Sequence, residues 1–145
     1  MVTIDSVVVA TDGSDSVDRA VGVAFDLADR FDAAVHALSV VDTDEIDSSP
    51  EELRDDLADA LERQAHEALT AVEERAGGSV TTAVREGRPA AEIVAYARET
   101  DVDAVAVGTR GRHGENRLLI GSVAERVVRT CPVPVLTVRQ LDGEM

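Results

Sequence analysis

Residues 104–125 read AVAVGTRGRHGENRLLIGSVAE, and this stretch decides the fold. A short, continuous apolar run comes first, as is typical of a strand buried on both faces of a sheet. A glycine-rich loop follows and ends at Gly121-Ser122, where a helix is predicted to begin. The free N–H groups and positive dipole end of such a helix favour an anion, phosphate above all.

The rest of the chain repeats this strand-then-helix unit. Strands are predicted at 6–10, 34–41, 80–85, 103–107 and 135–138, and helices at 17–31, 50–76, 89–100 and 122–130. Residues 42–52 are acidic and turn-rich and are predicted to be a loop. The apolar faces of the first two helices are expected to include Phe31 and Leu53. The alternation predicts an α/β fold, an open parallel sheet with helices on both faces, and 145 residues suit one domain, 1–145.

In an open parallel sheet, ligands bind beyond the carboxyl ends of the strands, where the strand order reverses. The first strand ends at Ala10-Thr11-Asp12 and the fourth at Gly108. If these two strands are neighbours, Asp12 and the glycine loop share one crevice. A helix-cap role for Asp12 is the alternative.

The charge of the chain excludes some partners. The net charge is −15, and all 14 basic residues are arginine, without a single lysine. Duplex nucleic acid would be repelled, so no nucleic-acid partner is expected. Such a composition is typical of a salt-in halophile, and an ordinary acidic mesophilic protein is the alternative. No membrane span and no signal peptide are expected, which predicts a cytoplasmic protein, and the one cysteine, Cys131, is expected to be a buried thiol.

The glycine loop is locally positive, since Arg110, Arg112 and Arg117 outnumber its one acidic residue, Glu115. Phosphate binding would explain this, but a solvated loop would also do so. Ser122 with Glu125 fits a capping box, which alone would explain that pair. Neither a P-loop motif nor a G-x-G-x-x-G dinucleotide motif is present. A response-regulator receiver domain has the same alternation of strands and helices. It would need a second acidic residue after the first strand and a lysine, and this chain has no lysine.

Three segments make the chain resemble the universal stress protein family. They are VVVATDGS at 7–14, ALSVVD at 37–42, and the spacing G-2x-G-9x-G-[ST] at 108–122, which is followed by VAERV and CPVPVL. The resemblance covers about residues 3–139, and its glycine signature marks the ATP-binding branch. It implies a Rossmann-like sheet of the adenine nucleotide alpha hydrolase type, with strand order 3-2-1-4-5.

The resemblance also implies roles for individual residues. Ala10, Thr11 and Asp12 would line the adenine and ribose side, and Val40 would contact adenine and read its edge through the backbone. Gly108 would lie by the ribose or α-phosphate. The remaining phosphate-binding positions would be Arg110, Gly111, Gly121, Ser122 and Val123, with Mg²⁺ bridging phosphate oxygens. Ala124 replaces a hydroxyl residue of some relatives, which could weaken one contact. A homodimer through the fifth strand, residues 135–138, is implied as well.

Three functions remain open at this point. The first is an ATP-binding regulatory or stress-response protein, and the second is a slow ATP hydrolase, although no catalytic base is apparent, so enzymatic activity stays undecided. The third is an interaction module that uses no nucleotide. His36 is expected to be structural and His66 solvated, whereas His113 could touch phosphate. No metal-binding group of residues is expected.

Overall fold

The computed structural model describes residues 3–76, 79–109 and 121–139. Five parallel strands form one sheet in the order β3-β2-β1-β4-β5. The strands are β1 Ser6–Ala10, β2 Ala34–Asp42, β3 Thr81–Gly87, β4 Ala104–Gly108 and β5 Val135–Val138. The predicted fold class and strand order are therefore confirmed.

Helices cover both faces of the sheet, as the doubly wound pattern requires. They are α1 Asp18–Phe31, α2 Thr43–Asp47, α3 Arg54–Ala76, α4 Pro89–Thr100 and α5 Ser122–Thr130. Helices α1 and α3 pack on one face, where Val7 and Val9 point. Helices α4 and α5 pack on the other, where Val8 and Leu38 point. Because side chains alternate along a strand, successive valines of β1 lie alternately in the cores on the two faces of the sheet.

Residues 42–52 differ from the prediction of a loop. Helix α2 occupies Thr43–Asp47, and a short 3-10 turn follows at Glu51–Leu53. Asp42 caps α2, since its Oδ1 accepts a hydrogen bond of 3.0 Å from the Asp44 N–H. Ile46 packs with Leu57 against a small apolar cluster beside α3. Turn-rich composition was a poor guide because a single cap and a single apolar anchor suffice for so short a helix.

Several predicted element ends were also wrong. The long helix begins at Arg54, and Leu53 is 52% exposed in the preceding turn, not on the apolar face. Phe31, the last residue of α1, is 51% exposed because Asp32 turns the chain away in a left-handed conformation. Strands β3 and β4 begin one residue later than predicted and extend to Gly87 and Gly108. Cys131 is only half-buried, at the margin of the α4–α5 core.

In the part of the chain that the structure describes, no helix combines the length and the apolar character needed to cross a membrane.

Candidate functional site

The turn after β1 lies at the carboxyl edge of the sheet and is held by its own side chains. The Asp12 carboxylate accepts hydrogen bonds from the Ser14 N–H at 2.9 Å and from the Ser14 hydroxyl at 2.6 Å. The Thr11 hydroxyl accepts one from the Gly13 N–H at 3.1 Å. Ser14, not Asp12, is the cap residue of the next helical turn. Asp12 therefore shapes a tight turn rather than capping a helix.

Glycine is required at the centre of this turn. Gly13 has a φ of +79°, a conformation that side chains with a Cβ rarely adopt. An added Cβ would also lie 3.1 Å from the Ala68 Cβ of α3. The turn after β1 thus packs closely against α3, and this contact fixes the position of one wall of the site.

The carboxyl end of β4 is tied directly to the start of α5. The Thr109 N–H donates to the Val138 carbonyl at 3.0 Å, and the Gly121 N–H donates to the Thr109 carbonyl at 2.7 Å. Gly121 is the N-cap of α5, and its carbonyl accepts the first helical bond, from Glu125, at 2.9 Å. The amino end of α5 is thereby anchored one strand away from the Asp12 turn.

The capping box, which was one of the alternatives for Ser122 and Glu125, is absent. Because Gly121 takes the cap position, Ser122 is already the first helical residue and its side chain is exposed. The Glu125 carboxylate accepts a hydrogen bond of 2.9 Å from Arg129 and does not reach back to the cap. Ser122 and Val123 are therefore left at the surface of the helix start.

Gly108 belongs to the sheet and not to the loop that follows it. It is the last residue of β4 and pairs in register with Val138. Among the glycines that the structure describes, only Gly13 and Gly87 have positive φ. Gly108 is half-buried, and it leaves the end of the strand without a side chain at the edge of the crevice.

The third wall of the site is the end of β2, which continues past the end of β1. Their pairing ends at Ala10 and Leu38, and the Thr11 N–H donates to the Leu38 carbonyl at 2.9 Å. In a parallel ladder, alternate residues turn both backbone groups to the same neighbouring strand. The Val40 N–H and carbonyl therefore face the side of β1, beyond the point where β1 ends.

A narrow cleft opens beside this end of β2. One wall is apolar and is formed by Val41, Leu61 and Ala65. The polar residues that line the cleft are Asp12, Ser39, Asp42 and Glu45. Sequence patterns missed Ser39 and Glu45, although strand alternation places Ser39 on the same face as Val41.

The structure brings most of the predicted site residues to one edge of the sheet. Ala10 ends β1 and is followed by Thr11 and Asp12, Val40 lies near the end of β2, and Gly108 ends β4. Gly121, Ser122 and Val123 form the start of α5. Arg110, Gly111 and His113 lie outside the described residues.

The other two histidines are where we predicted them. The His36 Nδ1 lies 2.7 Å from the Tyr96 hydroxyl, and burial lowers the pKa of His36 below its ordinary 6.5. His66 is exposed on α3, 3.9 Å from Glu62. Within residues 3–76, 79–109 and 121–139, no group of three or more His, Cys, Asp or Glu could hold a metal ion.

This geometry defines a doubly wound α/β protein with a switch point where β1 and β4 are neighbours and their following helices leave for opposite faces. The model of the universal stress protein family matches residues 3–139. The chain belongs to the universal stress protein family.

Individual relatives cover nearly all of the chain. The universal stress protein MJ0531 of Methanocaldococcus jannaschii is 39% identical over 92% of this chain and 81% of its own length. The solved structure of the protein MJ0577 is similar with a TM-score of 0.84 and 27% identity, over 98% of this chain and 100% of its own. A universal stress protein solved in complex with cAMP gives a TM-score of 0.61 and 28% identity, over 96% and 99%.

Proposed function

We propose that this protein binds ATP in the switch-point crevice, with Mg²⁺ on the phosphates, and acts as a regulatory stress-response protein. The observation that carries the proposal is the convergence of three backbone features at one sheet edge. They are the tight turn at Asp12, the outward-facing backbone groups of Val40 and the amino end of α5. The family member solved with cAMP supports an adenine nucleotide as the ligand class.

The nucleoside half of ATP is proposed to lie at the end of β2. A purine edge carries hydrogen-bond donors and acceptors in its plane, as a neighbouring strand does. The Val40 N–H and carbonyl face the crevice beyond the end of β1. The edge of the base can hydrogen-bond to them there as a residue of a neighbouring strand would. Ala10 and Thr11 close the crevice from the side of β1.

The phosphate half is proposed to lie at the amino end of α5. This helix has nine residues, and the first N–H groups of a helix have no partner within it. Those groups, and the positive end of the helix dipole, favour phosphate oxygens. Strands lie about 4.8 Å apart, so the crevice from β2 to β4 spans roughly 10 Å. An extended ligand such as a nucleotide fits that span better than an isolated phosphate.

The proposed output is a change of shape or of partner on nucleotide binding. The crevice joins elements from both faces of the sheet, α3 through Ala68 and α5 through Gly121. A ligand that bridges them would couple the two faces. We also propose that the protein is a homodimer in which β5 pairs with its copy.

The decisive experiment is calorimetric titration of the nucleotide-free protein with MgATP in molar KCl, where surface charges are screened. Wild type is expected to bind, and Gly121→Val to bind about tenfold more weakly or worse, a loss of at least about 1.4 kcal/mol. The new side chain would stand between the phosphates and the backbone N–H groups of α5. Gly121 has φ −65° and ψ 159°, which valine adopts without strain, so the fold should survive.

Thr130→Val, at the far end of α5, is the matched control and should bind as wild type does. Circular dichroism checks that each variant is folded. Equal ATP affinity in Gly121→Val and wild type would refute the phosphate placement, and no binding by wild type would refute the proposed function.

A further inference from the structure

The cleft at the end of β2 contains a hydroxyl group that the fold does not use. Ser39 is 3% exposed and is one of two buried polar residues in the described chain, together with Thr11. Thr11 accepts the hydrogen bond from Gly13, as described above. The Ser39 hydroxyl has no hydrogen bond to any described residue, although it lies in the middle of the sheet.

The Ser39 hydroxyl is nevertheless not sealed inside the protein. Among the described residues, no fully buried side-chain oxygen or nitrogen lacks a partner, so the Ser39 Oγ must be accessible, and the space beside it is the cleft. Strand alternation puts this side chain on the face of α3, with Leu61 and Ala65 opposite. Water can satisfy this hydroxyl while the cleft is open, so a ligand that displaces the water must supply a hydrogen bond or leave the hydroxyl unpaired at a cost in free energy.

The charge of the cleft restricts which part of a ligand can enter. The carboxylate residues Asp12, Asp42 and Glu45 line it, and the cleft has no basic lining residue among those described. Phosphate would be repelled, whereas hydroxyl and amino groups would be attracted as hydrogen-bond donors. The narrow cleft has room for a single polar group of the ligand beside the apolar wall of Val41, Leu61 and Ala65.

We propose that Ser39 is a specificity-determining contact for the uncharged, ring-bearing half of the ligand, the nucleoside. This inference rests on the proposed function, because it takes the ligand to be ATP. The Ser39 hydroxyl bonds the nucleoside directly, and the surrounding carboxylates keep the phosphates at the α5 side. A ligand that cannot hydrogen-bond Ser39 leaves a buried hydroxyl unpaired and is rejected on that account.

The experiment separates the two halves of ATP by titrating adenosine, inorganic tripolyphosphate and MgATP into wild type, Ser39→Ala and Gly121→Val. Ser39→Ala is expected to weaken adenosine and ATP by the same factor of about five, the effect of one neutral hydrogen bond. Its tripolyphosphate affinity should be unchanged. Gly121→Val should weaken ATP and tripolyphosphate and leave adenosine unaffected.

Thr82→Ala is the matched control, since it removes a hydroxyl from the neighbouring strand β3, outside the cleft. Ser39→Val, which adds volume to the cleft, should abolish adenosine binding in a protein that is still folded by circular dichroism. ATP and adenosine affinities that Ser39→Ala and Ser39→Val both leave unchanged would overturn the inference and leave ATP binding standing. Failure of wild type to bind ATP and adenosine would overturn both proposals. Adenosine binding that depends on Ser39, without any gain from the phosphates, would support Ser39 and refute the phosphate site.

Discussion

The two edges of the sheet are built in opposite ways. At the β3 edge, the Arg85 guanidinium donates to both carboxylate oxygens of Glu99, at 2.7 and 3.2 Å, and lies 3.8 Å from Glu92. It also lies 5.1 Å from the ring centre of Tyr96, in a cation–π contact. At the β5 edge, Val135–Val138 has the sequence VLTV without any charge, and Leu136 is 40% exposed.

This difference indicates which edge is open to a partner. Proteins protect edge strands with charged side chains, and an uncharged edge invites pairing with another chain. Pairing alternates along β5, since Pro134 and Val138 accept hydrogen bonds from β4. The backbone groups of Val135 and Thr137 therefore face outward. The difference between the edges favours β5 as the pairing edge of the proposed homodimer and β3 as the protected edge.

The largest expected effect is the loss of the proposed dimer when the outward side of β5 is blocked. Thr137→Pro removes an outward-facing N–H and leaves the ladder with β4 intact. We expect wild type to sediment at twice the chain mass of 15.4 kDa and Thr137→Pro at the mass of a single chain. Sedimentation velocity in molar KCl measures both.

Thr82→Pro makes the same change on the β3 edge, because the backbone groups of Thr82 also face outward there. It should leave the dimer intact. A monomeric wild type, or a dimer lost in Thr82→Pro and kept in Thr137→Pro, would refute the assignment of the edges.

The next effect in size concerns the protection of β3. Arg85→Met keeps the apolar stem and removes the guanidinium, and we expect it to cost about 1 kcal/mol, or about 3 °C in the melting temperature. Arg30→Met is the matched control, since its ion pair with Asp26 at 3.4 Å is exposed on both sides and should contribute about 0.3–0.5 kcal/mol. Calorimetric melting compares the two variants. A smaller loss in Arg85→Met than in Arg30→Met would show that Arg85 does not stabilise the edge.

Some element bounds near the site can be predicted from the sequence, whereas the contacts that hold those elements cannot. The bounds of α5 and β5 are predicted correctly because Gly121, Pro132 and Pro134 mark them with residues that restrict the backbone. The capping box at Ser122 is absent because the N-cap is Gly121, which is held by a tertiary hydrogen bond from its N–H to the Thr109 carbonyl. No local pattern contains that bond.

The cleft beside β2 shows the same limit in the site itself. Periodicity puts Ser39 on an inner face, but whether its hydroxyl finds a partner depends on α3, which lies far along the chain. Asp12, by contrast, is predicted from its position, since the end of β1 must reach the edge of the sheet where ligands bind. The positions of residues that follow strand ends are therefore predictable, whereas contacts that depend on packing between distant elements are not.

The smallest expected effect is a pH dependence of the stability that comes from His36 on β2, the strand next to β3. His36 on β2 contacts the Tyr96 hydroxyl at 2.7 Å, and burial holds the pKa of His36 below its ordinary 6.5. Burial also raises the pKa of Tyr96, so this hydroxyl stays neutral over the same range. The unfolded chain binds a proton at His36 more readily than the folded chain does. The contribution of neutral His36 to the free energy of unfolding is therefore complete above pH 6.5, and it is lost as the pH falls through the lowered pKa of His36.

We expect the melting temperature of wild type to fall between pH 7 and pH 5 with a slope below that of one full proton per molecule. His36→Gln should reduce this slope, because a glutamine does not titrate. His66→Gln is the matched control, since His66 is exposed on α3, and it should leave the slope unchanged. Equal slopes in wild type and His36→Gln would show that the protonation of His36 does not destabilise the fold, and that the β3 edge is protected independently of the histidine beneath it.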